Sequence, residues 1–221
     1  MEREKLYERR FQGVCGQRDE IWRVLCREFF QKFIPDGATV VDIGAGYCEF
    51  INNIKCGRKI AVDLLEQSTG SANPDVTVYK ASAGDIKPLG DSTADVIFMS
   101  NLLEHMESKG GVLRTLAEAF RILRPGGRLL ILQPNIRYAY KEYWDFFDHH
   151  IPLSHKSLDE ALGMAGFQVK LVLDRFLPYT TKSRLPKLPI LIKMYLKVPL
   201  LWKFFGKQML VMGIKPCRSS Q

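Results

Sequence analysis

The segment 40–50, VVDIGAGYCEF, combines an acidic residue with two glycines directly after an apolar run. Gly44 and Gly46 can adopt backbone angles that are closed to other residues, and they let the chain pass close to a ligand. Asp42 stands two residues before Gly44, where its carboxylate can accept hydrogen bonds from a cationic group and would repel a pyrophosphate. Asp63 follows Gly46 by 17 residues and ends the next apolar run, where a carboxylate can bind both hydroxyls of a ribose. This pattern predicts a site for a nucleoside with a cationic end.

A second group of residues that could do chemistry lies in the stretch 133–162. Six aromatic side chains there are followed by Asp148, His149 and His150. Aromatic faces with a few polar groups suit a sugar ring or a flat aromatic substrate, and a neutral histidine can take the proton of a hydroxyl. We interpret His149 or His150 as the candidate base and His105 as the second choice. The alternative is that such a histidine only satisfies a loop carbonyl.

The acidic and histidine residues of the same stretch raise the question of a metal site. Their spacing matches no strong metal signature, so we predict no metal. A dinucleotide site would carry a third glycine where this chain has Glu49, which disfavours an NAD enzyme.

The elements that must position these residues alternate in type along the chain. Apolar runs predict strands at 38–44, 59–64, 76–81, 94–100, 127–134, 167–174 and 208–214, and helical spacing of apolar residues predicts helices at 20–33 and 112–123. Alternation of this kind predicts a doubly wound α/β fold with a seven-stranded, mostly parallel sheet. Ligands bind at the carboxyl ends of the strands in such sheets, which is where both groups of residues fall.

We interpret residues 1–221 as a single domain with an N-terminal helical segment at 1–36. No ordinary crossover joins the last two predicted strands. Between them, residues 175–207 form a basic and apolar insertion, or cap. Its four prolines would break a long helix into pieces; they are Pro178, Pro186, Pro189 and Pro199.

These segments, in this order, resemble the class I S-adenosylmethionine-dependent methyltransferases, whose Rossmann-like fold agrees with the predicted sheet. The resemblance implies S-adenosylmethionine as the cofactor. In that family the acid-x-Gly-x-Gly turn, here Asp42, Gly44 and Gly46, holds the methionine end. The acid that closes the second strand, here Asp63 with Leu64 beside it, binds the ribose.

The resemblance extends to later loops of the chain. An acid after the third strand reaches the adenine amino group, and Asp85 fits this role, with Ile86 beside the ring. The segment SNLLEHM, residues 100–106, matches the segment that lines the cofactor pocket, through Asn101 and Leu102. LRPGGRLLI matches the family's turn into the fifth strand. One departure is Cys48, which stands where many relatives have a third glycine and could crowd the carboxylate end of the cofactor.

A closer resemblance covers YERRF, WDFFDHHIPLSHKSL and RFLPYTTKSRLP. Together they look like a bacterial subgroup that is associated with cell-surface polysaccharide and glycolipid synthesis. This resemblance implies O-methylation of a sugar hydroxyl, on a free or lipid-linked acceptor, with Lys182 and Arg184 as a place for a phosphate. The alternatives are a small lipophilic acceptor, such as a quinone or natural product, and a non-catalytic scaffold that has lost cofactor binding through Cys48.

Nucleic acid is not expected as a partner, although the chain is basic. The (Asp/Asn/Ser)-Pro-Pro-aromatic motif of nucleic-acid amino methyltransferases would follow the fourth strand, and this chain has Ser100-Asn101-Leu102-Leu103 there. The net charge of +8 has another source, because Asp174 is the last acidic residue and ten Lys or Arg follow it. Residues 182–207 could therefore lie on an anionic membrane surface. The alternative is a cap helix packed on the domain's own core.

The remaining composition indicates a cytoplasmic protein. Peripheral association with a membrane through the basic segment is a further expectation. The N-terminal MEREKLYERRF has no apolar core, so no signal peptide is expected. The five cysteines are scattered and form no CxxC pair, which is typical of reduced thiols.

Overall fold

A computed structural model describes residues 15–65, 67–179 and 189–217. Its centre is a seven-stranded sheet in the order β3-β2-β1-β4-β5-β7-β6. The strands are β1 Thr39–Ile43, β2 Arg58–Asp63, β3 Val76–Lys80, β4 Ala94–Ser100, β5 Leu123–Pro134, β6 Gln168–Leu177 and β7 Gln208–Ile214. The first five strands pair in parallel, and β7 runs antiparallel to both β5 and β6. The predicted fold class is confirmed.

The helices lie between the strands and on both faces of the sheet. They are α1 Cys15–Glu28, α2 Glu49–Asn53, α3 Gln67–Ser71, α4 Lys109–Ile122, α5 Ile136–Tyr143, α6 His155–Met164, α7 Pro189–Lys197 and α8 Pro199–Phe205. Single 3-10 turns span Phe30–Phe33 and Leu103–His105. The helix predicted at 20–33 is therefore two elements, and residues 1–14 of the expected N-terminal segment lie outside the described residues.

Alternation along each strand divides the core between the two faces of the sheet. Val41 and Ile43 of β1 point to one face, where they join the apolar side chains of α4 and α6. Val40 points to the other face and joins α1 and α2. That second face is rich in aromatic rings, and the Phe50 and Phe98 rings stack with centroids 3.8 Å apart. Both faces are covered, as continuous apolar strands require.

The segment between the last two strands is present but is shorter than predicted. β6 extends to Leu177, so the insertion begins at 178 instead of 175, because residues to Leu177 pair with β7 through Gln208. Pro199 divides its helical part into α7 and α8, since proline supplies no backbone N–H and is tolerated in a first helical turn. The cap is from here on the pair of helices α7 and α8, residues 189–205. No helix among the described residues is long and apolar enough to cross a membrane.

The strand order reverses between β1 and β4, with β1 flanked by β2 on one side and by β4 on the other. Loops that leave the carboxyl ends of these two strands diverge and open a crevice. The loop after β1 carries the two glycines, and the loop after β4 carries Asn101, Leu102 and His105. The topology thus brings together residues that are more than 50 positions apart in sequence.

Candidate active site

The glycine turn after β1 is tight and lies against the loop after β4. Gly44 and Gly46 have φ angles of 75° and 53°, in the left-handed region that favours glycine. A Cβ atom on Gly44 would lie 2.8 Å from Cδ1 of Leu102. The N–H of Gly44 donates to the carbonyl of Val62 at 2.8 Å, which ties the turn to β2. The positive φ angle and the nearness of Leu102 both disfavour a larger residue at position 44.

Asp63 ends β2 with its carboxylate fixed by the backbone on two sides. The N–H of Gly46 donates to Oδ2 at 2.7 Å, and the N–H of Leu65 donates to Oδ1 at 2.9 Å. A carboxylate oxygen can accept more than one hydrogen bond, so both oxygens retain capacity for ligand hydroxyls. The side chain is held in one orientation at the edge of a cleft.

That cleft is formed by the ends of β1, β2, β3 and β4. Its lining includes the predicted residues Gly44, Asp63, Leu64, Asn101, Leu102 and His105, and it also includes Val62, Leu65, Ala81, Ser82, Ala83, Met106 and Asp148. Leu64 is 53% exposed, so a large apolar side chain stands at the cleft with little protein around it. This is an apolar surface suited to a flat ring such as adenine.

Asn101 supplies an unsatisfied polar atom at the cleft. Its backbone has a φ angle of 49°, and its N–H donates to the carbonyl of Leu132 at 2.9 Å. The side-chain Oδ1 is buried and has no hydrogen-bond partner among the described residues. A buried polar atom without a partner is unfavourable, so Oδ1 is suited to accept a hydrogen bond from a ligand.

Asp42 lies behind the glycine turn and does not line the cleft. It is 3% exposed and accepts a hydrogen bond from the backbone N–H of Ile51. Burial raises the pKa of the Asp42 carboxyl well above its ordinary value, and the negative charges of Asp63 and Glu49 raise it further. A cation in the cleft would lower the pKa of Asp42 again and so favour the charged carboxylate. That Asp42 holds the methionine end of the cofactor stays a prediction.

Asp85 and Ile86 are not brought to the cleft. The Asp85 carboxylate is exposed and pairs with Lys87 at 3.4 Å. Ile86 is fully buried in the core, and its N–H donates to Glu118 at 2.7 Å. Ser82 and Ala83 occupy the cleft instead, because they leave the carboxyl end of β3 two or three residues earlier.

Cys48 adopts a left-handed backbone with a φ angle of 59°, the conformation that a third glycine would take readily. Its side chain is fully buried among the apolar residues on the face of α1 and α2, and it is not part of the cleft lining. Burial raises the pKa of the Cys48 thiol to about 12, so the thiol is neutral. The thiol lies in the apolar core, so we expect it not to crowd a ligand in the cleft.

Among the candidate bases, His105 is the one that lines the cleft. Its Nδ1 lies 2.9 Å from the backbone carbonyl oxygen of Asp148 and 3.3 Å from Oδ2 of the same residue. A carbonyl oxygen only accepts, so Nδ1 carries the hydrogen and Nε2 is the basic nitrogen. Asp148 also lines the cleft, so the pair stands at the edge of the cleft as a unit.

The other two histidines of the prediction are placed differently. His149 is 6% exposed, and its ring centroid lies 5.0 Å from that of His105. It is enclosed by the rings of Tyr143 and Phe146, with centroids at 4.6 and 4.8 Å. His150 has an exposed side chain, and its backbone N–H donates to the carbonyl of Glu104 at 2.8 Å. His149 therefore backs the site, and His150 faces solvent.

Glu104 joins this group, and sequence reasoning missed it. It is 1% exposed, and its Oε2 has no hydrogen-bond partner among the described residues. Burial raises the pKa of the Glu104 carboxyl to about 8, and the nearby charge of Asp148 adds to this. One side-chain atom each of Glu104, His105 and His149 lies within 4.8 Å of the others, a spacing that fits a shared metal ion.

Comparison with known proteins identifies the family of this chain. A family model described as a methyltransferase domain matches residues 16–172. A demethylmenaquinone methyltransferase of Symbiobacterium thermophilum is 29% identical over 184 residues, which is 74% of this chain and 67% of that protein. An S-adenosylmethionine-dependent methyltransferase of Mycolicibacterium smegmatis is 28% identical over 138 residues, so the matched region is 60% of this chain and about half (52%) of that relative.

Solved structures show the same fold at low sequence identity. The crystal structure of a SAM-dependent methyltransferase from Archaeoglobus fulgidus is similar with a TM-score of 0.66 and 20% identity. The similarity covers 96% of this chain and 99% of that one.

Proposed function

The chain belongs to the methyltransferase domain family and is an S-adenosylmethionine-dependent methyltransferase, and from this premise we propose that it methylates a hydroxyl group of a sugar or glycolipid. The observation that carries the choice of a hydroxyl is the His105–Asp148 pair at the cleft, since an O–H acceptor must lose a proton as it reacts. The subgroup resemblance of the sequence carries the choice of a sugar.

The residues of the cleft fit the cofactor. Asp63 presents two backbone-fixed oxygens for the ribose hydroxyls, and the exposed Leu64 offers an apolar surface for adenine. Asn101 Oδ1 would gain the hydrogen bond that it lacks. S-adenosylmethionine supplies an electrophilic sulfonium methyl group when it is bound. The lack of a side chain at Gly44 leaves room for Leu102 to lie close to the glycine turn.

His105 takes the proton of the acceptor hydroxyl on Nε2 in this proposal. Its Nδ1–H donates to Asp148, which fixes the ring and the tautomer. The Asp148 carboxylate, 3.3 Å from Nδ1, would stabilise the imidazolium that results. General base catalysis of this kind contributes roughly a hundredfold to ten-thousandfold in rate. We therefore propose His105 as the base in preference to His149 and His150.

Aromatic side chains close to His149 and along α5 support a sugar ring as the acceptor. The Phe146 ring lies 5.7 Å from that of Tyr179 and stacks on His149. Tyr140 and Trp144, from α5 and its carboxyl end, are 56% and 61% exposed. The predicted phosphate-binding residues Lys182 and Arg184 lie outside the described residues, so a lipid-linked diphosphate as the carrier stays a prediction.

A small lipophilic acceptor is the second candidate. The similar protein of Symbiobacterium thermophilum is a demethylmenaquinone methyltransferase, which favours a quinone among such acceptors. The non-catalytic scaffold loses its support, because it depended on Cys48 crowding the cofactor and the Cys48 thiol lies in the core.

The proposal is tested by incubating the purified chain with methyl-13C S-adenosylmethionine and separate acceptor panels. The panels are sugar nucleotides, polyisoprenyl-linked sugars and demethylated quinones, and the 13C chemical shift of the product distinguishes O-methyl from C-methyl groups. We expect an O-methylated sugar, with turnover lowered at least a hundredfold by His105→Ala. His150→Ala is the matched control and should retain full activity, because its side chain faces solvent.

Two results would contradict the proposal. A C-methylated quinone with no sugar product would establish the second candidate. O-methylation that His105→Ala leaves unchanged would remove His105 from the reaction.

A further inference from the structure

The outer side of the cap exposes a group of large apolar side chains. Phe204 is 69% exposed, Leu200 61%, Ile190 59% and Met194 57%. Leu191, Val198 and Phe205 are also exposed, at 41%, 42% and 48%. These side chains come from 16 consecutive residues, 190–205, on two adjoining helices. Exposed apolar side chains that are grouped in this way on adjoining helices are typical of an interaction site in a folded protein.

The inner side of the cap is already occupied by the domain. Leu196 is buried, and the Trp202 ring lies 5.1 Å from that of Phe176 and 6.0 Å from that of Phe29. The Tyr195 hydroxyl donates to the carbonyl of Phe176 at 2.6 Å. The cap therefore has a packed inner face and a second, separate apolar outer face.

The outer face is held in place. Nε of Arg175 donates to the carbonyl of Gly206 and its Nη2 donates to that of Phe204, both at 3.0 Å. These bonds satisfy carbonyls at the carboxyl end of α8. Trp202 Nε1 donates to the carbonyl of Tyr195 at 2.9 Å and ties α8 to α7. The exposed side chains thus stand on a fixed two-helix platform.

The charged side chains of the two cap helices are all lysines. Lys197 and Lys203 are exposed on the same two helices, and no acidic residue follows Asp174 in the sequence. Lys193 differs from them, because it pairs with Glu28 of α1 at 3.3 Å. Apolar side chains flanked by unopposed lysines complement a surface that is apolar inside and anionic outside.

We propose that the outer face of α7 and α8 docks on an anionic lipid bilayer. The exposed Leu, Ile, Met and Phe side chains enter the boundary between headgroups and acyl chains, and Lys197 and Lys203 contact the headgroups. An acidic protein surface would complement the lysines but would offer less to the aliphatic side chains at the centre. The proposal does not depend on which acceptor the enzyme methylates.

Vesicle flotation of the full chain tests this proposal. Vesicles of phosphatidylcholine alone are compared with vesicles that contain phosphatidylglycerol. We expect binding to the anionic vesicles only, and a salt-dependent decrease of that binding. Leu200→Ser/Phe204→Ser should lower the partition coefficient at least tenfold, because each change removes a side chain that gains free energy on leaving water. Met164→Ser is the apolar control, since Met164 is 74% exposed on α6.

A charge-matched comparison completes the test. Lys197→Ala/Lys203→Ala should weaken binding to anionic vesicles, whereas Lys87→Ala/Lys156→Ala, which removes two exposed lysines elsewhere, should not. Each substitution is at an exposed position, and circular dichroism confirms that the variants are folded. Failure of the native chain to float with anionic vesicles overturns the proposal. Vesicle binding by Leu200→Ser/Phe204→Ser that equals binding by the native chain also overturns the proposal. A third contradicting result is a native chain that binds no vesicles but forms a dimer, if Leu200→Ser/Phe204→Ser abolishes that dimer.

Discussion

Replacing Glu104 by glutamine removes a buried titratable group beside the candidate base and keeps the size of the side chain. The folded chain buries the Glu104 carboxyl, and this raises its pKa from the ordinary 4.5 to about 8. The unfolded chain releases this proton near its ordinary pKa, whereas the folded chain holds it to about pH 8. The unfolded state therefore binds fewer protons between these two values, and folding stability falls as the pH rises through this window.

The size of this effect follows from the pKa of Glu104. Each unit of pH inside the window lowers stability by about 1.4 kcal/mol, and less near its two limits, where the group is only partly titrated. The loss between about pH 5 and about pH 8 is therefore about 3–4 kcal/mol. Glu104→Gln has no proton to release. We expect the free energy of unfolding of the variant to rise relative to the native chain by about this amount over that range.

Urea denaturation of both proteins at several pH values, in the presence of a chelator, measures this difference directly. Glu118→Gln is the control. The Arg121 guanidinium lowers the pKa of the Glu118 carboxyl, so its contribution to stability is already complete above the ordinary pKa. The difference in unfolding free energy between Glu118→Gln and the native chain should therefore not change with pH over the same range. A flat difference for Glu104→Gln as well would refute the conclusion that Glu104 is buried as a neutral acid.

Three further predictions concern the cleft and the atoms near it. Gly44→Ala should weaken S-adenosylhomocysteine binding at least tenfold and lower the free energy of unfolding by about 1–2 kcal/mol. The reason is that the φ angle of Gly44 is 75° and that the added Cβ would contact Leu102. Equal affinity of the variant and the native chain in calorimetry would argue against a tight turn. Cys48→Gly should leave that affinity unchanged, because the thiol lies in the core, and tighter binding by the variant would revive the crowding hypothesis. Methyl transfer should persist in excess chelator, since the proposal assigns proton transfer to His105 and uses no metal ion. Activity that is lost in chelator and then restored by a divalent cation would instead make Glu104, His105 and His149 a metal site.

The parts of the site that could be predicted from the sequence are those where function and local structure depend on the same few residues. Gly44 and Asp63 belong to this class, because the end of a strand places a residue at the edge of the sheet whatever the rest of the chain does. Asp85 was predicted because a carboxylate was sought after β3. Ser82 and Ala83 follow β3 more closely than Asp85 does, and they line the cleft. Their small side chains gave no sign of this in the sequence.

The role of Glu104 could not be predicted, because it depends on contacts between distant loops. The loop after β5 returns to the loop after β4, where the N–H groups of His150 and Ile151 both donate to the carbonyl of Glu104, at 2.8 and 3.1 Å. This contact places Asp148 against His105 and leaves His150 at the surface. No periodicity or spacing in the sequence contains that information. The same holds for Trp202, whose inward position depends on where Pro199 starts α8.

Calorimetric titration with S-adenosylhomocysteine is the most direct test that this cleft is the cofactor site. The native chain, Asp63→Ala and Asp85→Ala are compared under the same conditions. We expect binding by the native chain with a Kd of order micromolar, loss of binding in Asp63→Ala, and unchanged binding in Asp85→Ala, whose carboxylate lies outside the cleft. Native affinity in Asp63→Ala, or loss of affinity in Asp85→Ala alone, would contradict the cofactor site described for this chain.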